Sequence, residues 1–509
     1  MRVLVIGLDG MAPGFLDHWA DEGRLPFLGA IRDDGVSGIL ESTVPPYTPT
    51  AWTSIVTGVN PGRHGVFGFT RWTPRGREAL VDAERCRAKT IWDVLSEWGR
   101  GSVVINVPIT YPPRPIRGVL VSGMGTPSDA EDWAYPAGLV ETIRAAAPGY
   151  VTDVPVTNRT VRRSGRAAVR AIAEATDRRL RAAGALLAQE DWEFAMLVLE
   201  APDRLQHLFW GAIAPEAPDS ALRERVLAEY TRLDRGLAAI VERAERDGPL
   251  AVLIVSDHGF DELRWDLYLN NHLAGAGLLA LAPAPAVRLA RRLPAPLRRA
   301  ATRLYRGAVD DPLAASHSRA FDWERTVAFA GRAFEQGVYV RGGEEERERT
   351  VAALADLATP DGEAAVERVA PREELYRGPF VEEAPDLFPR FRVPGVVINP
   401  GLAEPRVWRS PGPSLRGTHH PDGILLARGP GIGRAAGVAA RAQDVAPTVY
   451  RLLGHGVPAG LDGRPIPGVG AGPDREVTVD LDRTAGASGY GPEQEREIAD
   501  RLRALGYLE

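Results

Sequence analysis

The chain has 509 residues, 44% hydrophobic and 25% charged, which are ordinary proportions for a globular protein. With 61 basic against 67 acidic residues the net charge is −6, so no basic excess argues for a nucleic-acid polymer or an anionic membrane as partner. A single cysteine, Cys86, excludes an internal disulfide and a multi-cysteine metal site.

At ~150 residues per domain the length allows about three domains, or one large domain with insertions. No window approaches the ~20 uninterrupted apolar residues of a membrane span. The opening apolar run meets Asp9 too soon to be a signal-peptide core, so the expected compartment is the cytoplasm. Lysine occurs once, at Lys89, with arginine elsewhere, which reads as codon bias.

In chain order, Val3 to Leu8 is an apolar run of the kind buried on both faces of a sheet. A proline-rich segment, Pro45-Pro46-Tyr47-Thr48-Pro49-Thr50, predicts an extended approach to a helix that begins near Thr50 and stops at Gly58. Further strands are expected at Val103–Val107, Phe194–Leu199, Leu250–Val255 and Ile424–Ala427. Helical spacing covers Arg163–Gln189 and Ser220–Arg246. Strands alternating with helices imply an α/β fold with a mostly parallel central sheet flanked by helices.

Residues 275–392 differ: Pro283, Pro285, Pro294 and Pro296 interrupt them, Arg288–Arg306 is basic and amphipathic, and Glu344–Ala358 reads as a charged helix. They are expected to be an inserted cap subdomain, between a first core part at 1–274 and a second at 393–473. Residues 474–509 form a tail with a short helix over Glu493–Leu505, after a loop-like Gly454–Asp474.

Acidic and histidine residues cluster where strands end. Asp9 follows the first run, Asp203 and His207 follow the third-from-last, and Asp257 and His258 follow the Leu250 strand. His419 precedes the Ile424 strand. Sites in open α/β sheets form beyond the carboxyl ends of strands. Hard oxygen and nitrogen donors gathered there suit divalent metals. Thr48, at a helix start, suits a phosphoryl oxygen through free N–H groups, or serves simply as a helix cap.

In combination these residues resemble the alkaline phosphatase superfamily, in its type I phosphodiesterase and nucleotide pyrophosphatase branch, and there the bacterial proteins described as predicted phosphohydrolases or phosphomutases. The resemblance rests on Gly7-Leu8-Asp9-Gly10, the Thr48–Gly65 block, Asn106 to Pro113, Asp203-Arg204-Leu205-Gln206-His207, Ser256-Asp257-His258-Gly259-Phe260 and Gly417-Thr418-His419. In the insertion it includes Glu374 to Pro379 and Glu383 to Asp386.

The resemblance implies an alkaline-phosphatase-like fold and a two-metal phosphohydrolase. Thr48 matches the nucleophile, and Asp9, Asp257 and His258 match ligands of the metal that also touches it. Asp203, His207 and His419 match ligands of the second metal. Zn²⁺ fits this donor set, with Mn²⁺ possible. His420 and His64 align with no ligand. Nucleotide pyrophosphatases carry an Asn after the His-Gly turn, and Phe69 stands there in this chain, which puts nucleotide specificity in doubt. Asn106 is a candidate replacement donor, or a residue that fixes its loop, and Arg377 is a second candidate substrate contact.

The expected partner is a small-molecule phosphoester, phosphodiester or monoester, with the oligomeric state open. Thr48 argues against a sulfatase, because it cannot be oxidised to the aldehyde that such enzymes use. A phosphomutase, or an inactive binding protein of the same fold, remains an alternative.

Overall fold

The computed structural model describes residues 1–72, 78–154, 156, 158–214, 216–282, 320–332, 334–402, 404–411, 417–470 and 475–505. They fall into two compact units. The first comprises 1–68, 81–261 and 414–490, and the second comprises 69–80, 262–413 and 491–509.

Apolar runs without alternation must be covered on both faces, and the first unit covers them between two helical layers. Among the described residues its sheet has nine strands. They are β1 (Arg2–Leu8), β2 (Val36–Glu41), β3 (Ser102–Val107), β4 (Gly118–Ser122), β5 (Ala134–Tyr135), β6 (Phe194–Leu199), β7 (Leu250–Val255), β8 (Asp422–Arg428) and β9 (Ala435–Arg441). Their order across the sheet is β9-β2-β8-β7-β1-β6-β3-β4-β5. β1 lies parallel between β6 and β7, with Val5 opposite Met196 on one side and Leu253 on the other. β8 runs antiparallel to both of its neighbours, β2 and β7, and β5 runs antiparallel to β4.

Successive side chains of β1 serve opposite cores, as the two-residue period of a strand requires. Leu4, Ile6 and Leu8 pack with Ile172, Leu186, Tyr230 and Leu237. Val3 and Val5 pack with Trp52, Ile55, Leu95 and Val449. Burial of each such side chain contributes ~1.5–3 kcal/mol relative to exposure.

The long helices of the first layer start at serine caps. Ser220 accepts from the Arg223 N–H and opens Ala221–Glu245. Ser164, extended at φ −165°, accepts from the Ala167 N–H and opens Gly165–Gln189. The helix expected over Arg163–Gln189 thus begins two residues later, and Arg163 instead ends a separate short helix, Asn158–Arg163.

The second unit has its own four-stranded sheet, in the order Ala328–Ala330, Val338–Val340, Leu387–Phe391, Val366–Pro371. Its core is built on Leu267, Phe329, Leu354 and Leu387. The charged helix spans Glu344–Ala355, three glutamates filling its first turn where the helix dipole favours them. Pro283, Pro285, Pro294, Pro296 and the Arg288–Arg306 stretch lie outside the described residues.

Gly7 in β1 is required by close packing. A Cβ there would lie 2.3 Å from the Trp52 ring and 2.9 Å from Val198 Cγ2. Gly7→Ala is therefore expected to destabilise the protein by ~1–3 kcal/mol through overpacking. Denaturant unfolding checks this, and an unchanged midpoint would mean that the ring has room to move.

Candidate metal centre

Strand direction gathers the site. β1, β6 and β7 are parallel, so Asp9, the Ala201–Ile213 helix that carries Asp203, and Asp257 all emerge at one edge of the sheet. β2 points the same way, because both it and β7 oppose β8. Its exit through residues 42–47 leads to Thr48. Because β8 is reversed, the residues that precede it arrive at this same edge. There Gly417–His420 pairs with Gly259–Glu262 in a two-stranded ribbon.

The helix after the proline-rich approach spans Thr48–Thr57, beginning two residues before the expected start. Tyr47 is its N-cap residue and makes no side-chain cap. The Thr48 side chain is fully buried, and its Oγ1 lies 3.3 Å from His258 Nε2. His258 Nδ1 faces the Gly259 carbonyl at 3.0 Å, which assigns the ring proton to Nδ1 and makes Nε2 the acceptor for the Thr48 hydroxyl. His419 is set in the same manner, with Nδ1 2.8 Å from the Pro46 carbonyl. Its Nε2 therefore presents a lone pair, 3.0 Å from His207 Nε2.

Two groups of donor atoms result, each with all members within 4.8 Å of one another: Asp203, His207 and His419, and Asp9, Asp203 and His258. Asp203 is common to both. His258 Nε2 also lies 3.4 Å from Asp257 Oδ2 and 3.7 Å from Asp9 Oδ1. Neither of these two carboxylate oxygens accepts a hydrogen bond among the described residues, though both are buried. The His258 and His419 rings stack with centroids 3.7 Å apart. Phe260 packs against them, with centroids 5.7 and 5.3 Å away, and meets His207 at 4.7 Å.

The electrostatics of this cluster call for added positive charge. Burial, with Asp257 and Asp203 nearby, pushes Asp9 well above the usual carboxylate range. Burial raises Asp257 as well, opposed by the Gly10 N–H and helped by Asp203. Asp203 is held well below its ordinary value: burial opposes this, and His207, His419 and Arg204 outweigh it. Burial lowers both His258 and His419, keeping the imidazoles neutral. Buried carboxylate oxygens and neutral imidazole lone pairs that face one another fit a divalent cation, which supplies the charge that burial withholds.

The other candidates are placed elsewhere. Asn106, fully buried at φ 59°, accepts from the Tyr150 hydroxyl and donates to the Thr152 carbonyl at 3.3 Å. Arg377 is exposed on the second unit, and Phe69 is buried. His420 meets its near neighbour Asp422 through Nδ1, 3.9 Å from Oδ2. Two residues close to the donors stand in the motifs of the sequence without a role assigned there. Trp52 donates to Asp9 Oδ2 at 3.0 Å, and Arg204 Nη1 lies 3.8 Å from Asp203 Oδ2. The available signal for Trp52 was its place one helical turn after Thr48.

Aspartate and histidine donors gathered at one edge of a mostly parallel α/β sheet form a candidate divalent-metal centre. The sequence matches the family described as type I phosphodiesterase / nucleotide pyrophosphatase over residues 3–389. The chain therefore belongs to that family and is a phosphoester hydrolase dependent on divalent metal. No curated protein gave a significant sequence match.

Among solved structures, phosphonoacetate hydrolase from Sinorhizobium meliloti 1021, in complex with phosphonoformate, is similar with a TM-score of 0.58 and 18% identity, over 88% of this chain and 94% of that one. Human ectonucleotide pyrophosphatase/phosphodiesterase 5 is similar with a TM-score of 0.51 and 15% identity, over 92% and 97%. A mutant of alkaline phosphatase PafA gives 0.53 and 16%, over 92% and 98%. These likenesses establish the alkaline-phosphatase-like fold. No helix among the described residues is long and apolar enough to cross a membrane.

His64 is a structural neighbour of the Thr48 helix. Its Nδ1 accepts from the Val66 N–H at 3.1 Å, so Nε2–H donates to Ser54 Oγ at 2.9 Å. Burial lowers its pKa from 6.5 to about 3. The unfolded chain takes up this proton as pH falls through 6.5, while the folded chain resists until about 3. Stability is therefore full above pH 6.5 and is lost on acidification, with a contribution from this group of up to ~1.4 kcal/mol per pH unit. His64→Gln is expected to remove that slope between pH 6 and 4 relative to the wild type. Parallel slopes in urea melts would show that His64 is not held neutral.

Proposed function

We propose that the protein hydrolyses a small phosphoester through a phosphothreonine on Thr48, with one divalent cation held by Asp9, Asp257 and His258 and a second by Asp203, His207 and His419. The observation that carries this reading is the direction of the Thr48 hydroxyl. It is fully buried and turned to His258 Nε2 at 3.3 Å, beside the carboxylates, while no side chain caps its helix.

The chain's own residues account for much of the chemistry. The 3.3 Å between Thr48 Oγ1 and His258 Nε2 sets the hydroxyl beside the ring nitrogen that would hold the first cation. Thr48 gives up its hydroxyl proton to water, Oγ1 attacks phosphorus in line, a P–Oγ bond forms, the bond to the ester oxygen breaks, and that oxygen leaves and takes up a proton from water. At the start of the Thr48–Thr57 helix, where Pro49 has no N–H, the backbone N–H groups of Thr48 and Thr50 are the donors available to developing negative charge on the phosphoryl oxygens. Water then attacks phosphorus from the side the ester left, the P–Oγ bond breaks, and Thr48 regains its proton. When bound, the two cations supply the charge that favours the threonine alkoxide, the leaving oxygen and the attacking water. Phe260, against three of the imidazoles, keeps bulk water from their faces.

The donor set contains carboxylate oxygen and imidazole nitrogen without sulfur, which suits Zn²⁺ first and Mn²⁺ second. Elemental analysis is expected to find about two divalent ions per chain, and chelation to abolish hydrolysis of p-nitrophenyl mono- or diesters until Zn²⁺ or Mn²⁺ is restored. Activity that survives complete metal removal, or one tightly held ion only, rejects the two-metal reading.

Thr48→Ala is expected to keep both the fold and the ions while losing several orders of magnitude in kcat, because a positioned water is a poor substitute for the hydroxyl. Near-wild-type turnover would reduce Thr48 to a helix residue. Free phosphate or a free phosphomonoester among the products marks the hydrolase, whereas return of the phosphoryl group to the substrate marks a mutase.

A further inference from the structure

The carboxylates of the site are held by different means. Asp257 Oδ1 accepts from the Gly10 backbone N–H at 3.2 Å, and Asp203 has the Arg204 guanidinium 3.8 Å away. Asp9 depends on a side chain: Trp52 Nε1 donates to its Oδ2 at 3.0 Å. Both residues are buried, Trp52 completely and Asp9 to within 1%.

The indole cannot swing away. It is wedged beside Gly7, where even a Cβ would come within 2.3 Å of the ring, and it belongs to the core formed with Val3, Val5 and Ile55. With Oδ2 occupied by the N–H, Asp9 is left with Oδ1, the atom 3.7 Å from His258 Nε2 that accepts no hydrogen bond among the described residues. Trp52 also stands one helical turn after Thr48, so the nucleophile candidate and the clamp on Asp9 share one rigid element.

We infer that Trp52 is a positioning residue. Its indole N–H locks Asp9 so that a single oxygen faces the metal beside Thr48, and it registers that ion against the Thr48 hydroxyl. The inference rests on the reading of Asp9 as a metal ligand. Partners of metal ligands that sit one shell out fix orientation and donor strength, and their loss costs ~10–100-fold in affinity or activity.

The test removes the donor while keeping the shape, by placing the sulfur analogue of tryptophan, benzothienylalanine, at position 52, with Trp52→Phe as a second variant. Binding of Zn²⁺ and of Mn²⁺ is measured separately by chelator competition, alongside circular dichroism and thermal unfolding of the metal-free protein. The analogue is expected to fold as the wild type does and to bind one of two ions ~10–100-fold more weakly, the other being unchanged. Wild-type affinity for both ions, or equal weakening of both, overturns the inference, and the analogue decides if Trp52→Phe fails to fold.

Asp9→Asn separates this from the underlying reading. If Asp9→Asn weakens one ion and the analogue weakens none, Asp9 is a ligand and Trp52 does not position it. If Asp9→Asn binds both ions like the wild type, the ligand assignment of Asp9 falls and the role of Trp52 falls with it.

Discussion

Three carboxylates, Asp9, Asp203 and Asp257, are buried together at one edge of the first unit's sheet, each 1% exposed or less. Taking even one carboxylate out of water costs several kcal/mol, and like charges at close range add to that cost. Much of the surrounding architecture compensates. Arg204 and two histidines face Asp203, a backbone N–H faces Asp257, and an indole N–H faces Asp9. Asp9 Oδ1 and Asp257 Oδ2, which accept no hydrogen bond among the described residues, lie 3.7 and 3.4 Å from His258 Nε2, a grouping that fits a divalent cation.

The sheet brings these groups together by direction of travel. Four strands, β1, β2, β6 and β7, deliver residues from their carboxyl ends, and β8, running the other way, delivers His419 from its amino end. A rule based on carboxyl ends alone would have sent His419 to the opposite side. The ribbon formed by Gly259–Glu262 and Gly417–His420 ties the two kinds of delivery together, with Phe260 in one strand and His419 in the other.

The runs expected at Phe194–Leu199 and Leu250–Val255 are strands with those same bounds, because fully buried strands leave an unbroken apolar signature. β2, β4 and β9 were not legible: Ser37 and Gly38 interrupt the first, Gly118 and Ser122 bound the second, and β9 is alanine and glycine on an exposed edge. The acidic and histidine residues at the strand ends were legible from their positions, their grouping into ligand sets came from the family resemblance, and the structure gathers their atoms at one edge. Trp52 was not, because a tryptophan on a buried helix face looks the same whether its N–H meets a carboxylate or a backbone carbonyl. The start expected at Arg163 falls at Gly165 instead, because the Ser164 side chain accepts from the Ala167 N–H and caps the helix there.

The position of β8 bears on biosynthesis. It lies between β2 and β7 in space, yet it is made after all of the other strands except β9. Until residues 422–428 leave the ribosome, β2 and β7 have no shared neighbour, and each presents an unpaired apolar edge of the kind that recruits other chains. His419 lies just ahead of that strand, so the insertion that closes the sheet also delivers the last candidate donor of the metal centre. A nascent or truncated chain that stops short of β8 thus lacks both the cover for those strand edges and the last candidate donor, and the two arrive in the same late step of synthesis.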